Sequence, residues 1–307
     1  MKNSLTTLGL LLLASISAIA HAEVPLEIQK VADNVYAIIG ELDQRSPDNY
    51  ANNATFGLVV TDEGVLLIDS GGSYRGAEQI DRAIRSITDK PVKTVINSGG
   101  QDHRWLGNGY FKAKGARIIA SSAAAADHRA RTNDHFNRLD QLLGKALDGT
   151  EAHYADQTFD KEMSLTFGGI EFKLVHAGPA HTVGDSFIWM PRQRIMFSGD
   201  IVYTERMLGL GPAQDSASWL HVFESMMEYR PAWIIPGHGH AAPPEQARAD
   251  TYDYLNFLRQ QVAGVIEEGG DAIDATNIDQ SRFSYLKVSD QISRRNAQDV
   301  FNQMEFE

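Results

Sequence analysis

The sequence predicts a layered α/β fold in which two β-sheets face one another, and three observations carry that expectation. Strand-like apolar runs come in two batches along the chain. Helical periodicity lies between and after the batches. The strands are also unbroken in their apolar character, as in sheets covered on both faces.

The first batch holds strands at 35–39, 56–60 and 65–68, the last ending in the turn Asp69-Ser70-Gly71-Gly72. A helix follows over 75–87, because Ile80, Ala83, Ile84 and Ile87 recur on one face. A strand at 94–97 leads into the loop SGGQDHRW, Ser98 to Trp105, and a further strand spans 117–120. Residues 122–148 are polar with spaced leucines and read as helices, with His128 and His135 on their polar faces. The second batch holds strands at 165–167, 172–175, 187–189, 194–198 and 233–236, and a long helical segment runs over 244–267.

The chain opens MKNSLTTLGLLLLASISAIAHA: one Lys, an apolar stretch, then the small-x-small site Ala20-His21-Ala22. That is the pattern of a secretory signal peptide over 1–22, cleaved after Ala22. Ser15 and Ser17 interrupt the apolar stretch, which is short of the ~20 residues of a membrane span. The expected product is periplasmic or secreted, with no membrane association after cleavage. One domain is expected over 23–307, with a C-terminal extension after about residue 268. The chain shows no internal repeat, low-complexity tract or linker.

Composition narrows the function. Among 307 residues there is no cysteine, so any metal site must use His and carboxylates. The formal charge of −12 argues against nucleic acid or an anionic membrane as partner, and leaves a small-molecule substrate. Five candidates stand just past predicted strand ends: Asp102 and His103, His181 in AGPAHTVGD, Asp200 in FSGDIVY, and His238 in IIPGHGH. Side chains from distant parts of a sheet converge at such ends. Two or three imidazoles with two carboxylates would hold a divalent cation, zinc first, with iron and manganese as alternatives. A lone strand-end His is more often structural; His238 is stronger because glycines flank it.

Taken in order, IDSGG, DH, AHTxGD, FSGD and PGHG resemble the metallo-β-lactamase-fold hydrolases over roughly residues 30–265. The exported context, Trp219 and the ending RRNAQDVFNQME resemble a periplasmic branch of that superfamily. The resemblance implies an αββα sandwich of two facing mixed β-sheets with outer helices and a metal site at one edge. The family's first motif reads His-x-His-x-Asp-His. Aligned on Asp102-His103, its two leading histidines fall on Ser98 and Gly100, and a shift of one residue to match Asn97 recovers neither. The first metal site would keep only His181 and the bridging Asp200, while the second keeps Asp102, His103, Asp200 and His238. None of His128, His135, His153, His176 or His240 falls at a place the family uses.

The expected function is therefore that of a hydrolase with a single zinc ion, activating water on a small ester, lactone, lactam or related substrate. Asp102 would bind the ion and orient the water, and His181 would exchange protons near neutral pH. Gly99 and Gly100 would open the volume of two imidazoles and offer N–H groups to an oxyanion. Gln101 would hydrogen-bond within the pocket. Arg104 would meet a substrate anion, Trp105 would wall the pocket, and Tyr203, Arg206 and the loop 42–53 would face the substrate. The alternative is a catalytically silent periplasmic binding protein on the same fold. A redox enzyme would need a di-iron pair or a flavin domain, for which this chain has neither the ligands nor the length.

Overall fold

The computed structural model describes residues 23–211, 214–305 and 307. The leader expected at 1–22 lies outside them. Seven strands form the first sheet in sequence order: β1 (Glu27–Ala32), β2 (Val35–Ile39), β3 (Thr55–Thr61), β4 (Gly64–Ile68), β5 (Val92–Asn97), β6 (Arg117–Ser121) and β7 (Gln157–Phe159). Pairs from β1 to β4 are antiparallel, and those from β4 to β7 parallel. The second sheet runs β12-β11-β10-β9-β8, from β8 (Glu162–Phe167), β9 (Ile170–Val175), β10 (Phe187–Met190), β11 (Ile195–Tyr203) and β12 (Trp233–His238). Its pairs are antiparallel except β11 with β12.

Side-chain alternation along the strands builds four layers. On β4, Leu66 and Ile68 enter the core between the sheets, with Phe172, Ile188 and Phe197 of the second sheet. The alternate residues Val65 and Leu67 face outward onto Ala77, Ile80 and Ile84 of α1 (Tyr74–Ile87). Ser73 caps α1 by accepting from Gly76 N at 3.0 Å. On the outer face of the second sheet, Phe187 and Met196 pack with Trp219 and Phe223 from a helix at Ser216–Met227. Leu255 and Leu258 of a helix at Asp253–Glu267 join the same core. The architecture is the αββα sandwich of two facing mixed sheets.

The segment after 268 packs back on this outer layer. A helix at Ser289–Met304 sends Ala297, Val300 and Phe301 into the core with Leu255, Leu258 and Val262. The sequence reading missed β1, whose residues EIQKVA are mostly exposed or half-buried and show no apolar run. It missed the three-residue β7 for want of length. The helical segment expected over 244–267 contains a π-helical turn at Arg248–Tyr252. That turn aims Thr251 at the backbone of Tyr203, accepting from its N–H at 2.9 Å and donating to its carbonyl at 2.6 Å. Among the described residues, no helix is long and apolar enough to cross a membrane.

Candidate metal centre

The loop after β5 begins on an anchored residue. Ser98 donates its N–H and its hydroxyl to the two carboxylate oxygens of Asp69, at 2.7 Å each. The chain then turns through Gly99, Gly100 and Gln101 into a short helix, Asp102–Trp105. Successive residues of a helix point about 100° apart. Asp102, His103 and Arg104 therefore face three different surroundings.

His103 faces the sheet edge. One ligand atom from each of His103, Asp200 and His238 lies within 4.8 Å of the others, and all three residues are buried. His103 Nε2 is 3.3 Å from Asp200 Oδ2, and His238 Nε2 is 3.2 Å from Asp200 Oδ1. Asp200 lies inside β11, not past its end. There the ladder to β12 is irregular at Gly199, whose φ of +51° suits glycine. His238 is the last residue of β12. Its Nδ1 donates to the Asn53 carbonyl at 2.6 Å, which fixes the tautomer and leaves Nε2 as a free donor atom for a cation. Tyr203 stacks on its ring at 4.5 Å.

Arg104 lies beneath this group and is fully buried. Its Nε and Nη2 donate to the two oxygens of Asp200 at 3.0 and 2.6 Å, and Nη1 donates to Asp69 at 3.0 Å. Nη2 also reaches the Gly237 carbonyl at 2.8 Å, and a Cβ on Gly237 would stand 2.6 Å from it. Burial works against a charged Asp200, but Arg104 and His103 outweigh it and hold the carboxyl well below its ordinary range. The substrate-anion role expected for Arg104 is corrected: its guanidinium has no exposed surface and is taken up by two carboxylates.

Asp102 is turned away from the group. One oxygen accepts from Arg45 Nη1 at 2.5 Å and the other from the His103 backbone N–H at 2.8 Å. Arg45 Nη2 lies 2.7 Å from His103 Nδ1. Of the four expected ligands the structure thus brings three together and leaves Asp102 behind His103. Set against the pattern His-x-His-x-Asp-His, this geometry matches the register one residue later. Gly99 and Gln101 then stand in place of the leading histidines, His103 in place of the Asp, and Arg104 in place of the last His.

The glycines do not open the expected volume. A Cβ on Gly99 would meet Asp185 Oδ1 at 2.2 Å, and one on Gly100 would meet Asp127 Oδ2 at 1.9 Å. The N–H of Gly100 already donates to Thr182 Oγ1 at 2.9 Å. Trp105 is likewise corrected from pocket wall to core, stacked on His128 at 4.6 Å and on Tyr154 at 5.6 Å. His128 and His135 are fully buried and do not lie on polar faces, because the helix at Ser122–Leu143 turns them toward Trp105. His176 bonds the Asp185 carbonyl, and His240 pairs with Glu205 and Glu27. His153 packs beside Gly109.

A cavity of about 820 Å³ opens onto the group, lined by His103, His181, His238, Gln101, Tyr203 and Arg206 among others. His181 accepts from Gln214 Nε2 at its Nδ1, 3.1 Å away, and sits edge-on to Trp219. Burial against these neighbours pushes its pKa down to about 4. The ring is therefore neutral at pH 7, although the sequence reading placed its titration there. Sequence reasoning missed Arg45, Gln214 and the Asn53 carbonyl. Arg45 and Asn53 lie in the loop 42–53, and Gln214 carries no motif at all.

Two imidazoles and one carboxylate with positions left open form the donor set of catalytic zinc centres. His103 Nε2 is buried and has no hydrogen-bond partner among the described residues, as a ligand atom awaiting a cation would be. The residues fit one divalent ion. Among the described residues, no second group of three such ligands exists.

The family model of the metallo-beta-lactamase superfamily matches residues 50–238. A metallo-beta-lactamase type 2 from Elizabethkingia meningoseptica is 26% identical over 230 residues, 74% of this chain and 84% of that protein. The 2,4-dinitroanisole O-demethylase subunit alpha of Nocardioides sp. is 24% identical, over 76% of this chain and 66% of its own length. Among solved structures, a metallo-beta-lactamase from Pontibacter korlensis superposes with a TM-score of 0.61 at 21% identity, covering 75% of this chain and 99% of its own. A stereoselective inverting sec-alkylsulfatase from Pseudomonas sp. superposes with a TM-score of 0.69 at 18% identity, covering 92% of this chain and 50% of its own.

Proposed function

The chain belongs to the metallo-beta-lactamase superfamily of metal-dependent hydrolases, and on that premise we propose that it hydrolyses a small-molecule substrate with one divalent cation, zinc first, at His103, Asp200 and His238. The convergence of those three buried ligands on an open cavity carries the reading. The chemistry supplied by an ion held there is the activation of water and the polarisation of a carbonyl or related oxygen. Asp200 brings a carboxylate kept ionised by Arg104. Asp102 orients His103 from behind, its Oδ1 3.3 Å from Nδ1, in place of the ligand role expected for it; Nε2 can take a cation only when Nδ1 carries the proton and faces Asp102 rather than accepting from Arg45. His181, neutral and held at Nδ1 by Gln214, has Nε2 left to hold or pass a proton. An ester, lactone or lactam fits this chemistry. The related proteins are named for a lactamase, an O-demethylase and an alkylsulfatase, and those names select no single bond.

One observation favours a second reading. Arg104 engages both oxygens of Asp200, which weakens that carboxylate as a ligand and would suit a silent binding protein. Metal content separates the two. The hydrolase reading expects close to one equivalent of zinc, lost in His238→Ala together with turnover of some ester, lactone, lactam or thioester. In His181→Ala the metal stays and the rate falls ~10²–10⁴-fold. A wild-type protein that takes up no zinc would leave the binding-protein reading in place.

A further inference from the structure

We propose that the ligand of this cavity is an amphiphilic organic anion, a sulfate-like or carboxylate group carried on an apolar body. As a statement about a substrate this rests on the hydrolase reading; as a statement about binding it stands apart. Five arginines line the cavity, Arg45, Arg131, Arg138, Arg206 and Arg295, against one lining carboxylate, Asp127. They come from a chain with 40 acidic and 28 basic residues, so composition alone does not put them there. They arrive from four separate segments: the loop after β2, the helix at Ser122–Leu143, the segment just after β11 and the C-terminal helix.

Three of the five have internal counter-charges. Arg45 pairs with Asp102, Arg131 with Asp127 and Arg295 with Asp299. Arg206 has none. It is only 6% exposed, and its guanidinium donates to the Leu42 carbonyl, Gln44 Oε1 and the Met207 carbonyl, all neutral. Burying a guanidinium without an anion is costly, and a ligand that supplies the anion relieves that cost. Arg138, exposed on the helix at Ser122–Leu143, also has no carboxylate partner among the described residues. A cluster of cations in a low-dielectric cleft raises the local concentration of anions even where the whole chain is acidic.

The same cavity has an apolar rim. Leu142 and Val183 are 38% and 51% exposed, and Leu210 and Ile292 line the wall with them. Single exposed apolar residues are ordinary. Four from separate segments around one cationic cleft match a ligand that is apolar at one end and charged at the other.

Calorimetric titration of the full chain with hexyl sulfate, hexanoate, hexanol and inorganic sulfate tests this. Hexyl sulfate or hexanoate should bind at least ~10-fold more tightly than either hexanol or inorganic sulfate, and whichever of the two binds better names the anionic group. Arg206→Gln should cut that advantage by about 10-fold, and Arg138→Gln should cut it by less. Should Arg206→Gln fail to fold, Arg138→Gln at an exposed site still carries the test. Hexanol binding as tightly as both anions would overturn the proposal, as would an anion preference untouched by either substitution. Turnover of neutral esters without anion binding would remove this inference and spare the hydrolase reading. Anion binding without any turnover would do the reverse.

Discussion

The candidate centre has two halves built on different principles. Asp200 and His238 come from adjacent parallel strands, where the ladder that pairs Gly199 with Pro236 and Tyr203 with His238 sets their direction. His103 comes from a helical turn at the end of the loop after β5, where each neighbour points about 100° away. On the strand side a ligand can be named from its place in the chain. On the turn side a slip of one residue exchanges a candidate ligand, His103, for a carboxylate behind it, Asp102, or a buried cation, Arg104.

If the turn half is held mainly by Arg104, removing that side chain should have the largest effect on stability. Arg104→Met leaves Asp69 and Asp200 buried beside each other without their shared cation, and should cost about 3–5 kcal/mol. Urea unfolding measures it; a loss below ~1 kcal/mol would mean that the strands hold the turn without help.

The next effect is a dependence on pH behind the turn. Burial pushes His128 and His135 down to about 4, against about 6.5 for an unfolded histidine. Between those values the unfolded chain binds more protons than the folded one. Their contribution is complete above pH 6.5 and is lost as pH falls toward 4, by about 1.4 kcal/mol per pH unit for each. His135→Phe should remove about half of that slope. Neither ring nitrogen of His135 has a partner among the described residues, so the variant should be no less stable at pH 7. An unchanged slope in denaturation midpoints between pH 4.5 and 6.5 would show that these rings titrate normally.

Much of the fold was legible because its strands are apolar on both faces and α1 repeats its isoleucines at helical spacing. Strand β1 was not, since an edge strand with one poor face leaves no apolar run. At the site, motif and strand position pointed to Asp200, His238 and His181; the first two join His103 in one group and the third lines the same cavity. The loop after β5 was readable as a degenerate metal motif but not in its register, because Asp102-His103 matches the last two residues of the pattern, whereas the register the structure uses, Gly99, Gln101, His103 and Arg104, matches none of the four. Direction at a helix start depends on contacts with Arg45, Asp69 and Asp200, which lie far away in sequence. Arginines 131, 138 and 295 sit on helix faces whose spacing says only that they are exposed. Their meeting over one cavity is a fact of packing.

The claim that joins these observations is that His103 is the ligand and Asp102 its support. Zinc content and zinc affinity of Asp102→Asn and His103→Ala, measured by elemental analysis and chelator competition, test it directly. Asp102→Asn should still hold close to one equivalent, with affinity weakened ~10–100-fold, as for loss of an orienting partner. His103→Ala should hold none tightly. If Asp102→Asn loses zinc as completely as His103→Ala does, the carboxylate is a ligand after all, and the assignment of this centre to His103, Asp200 and His238 is contradicted.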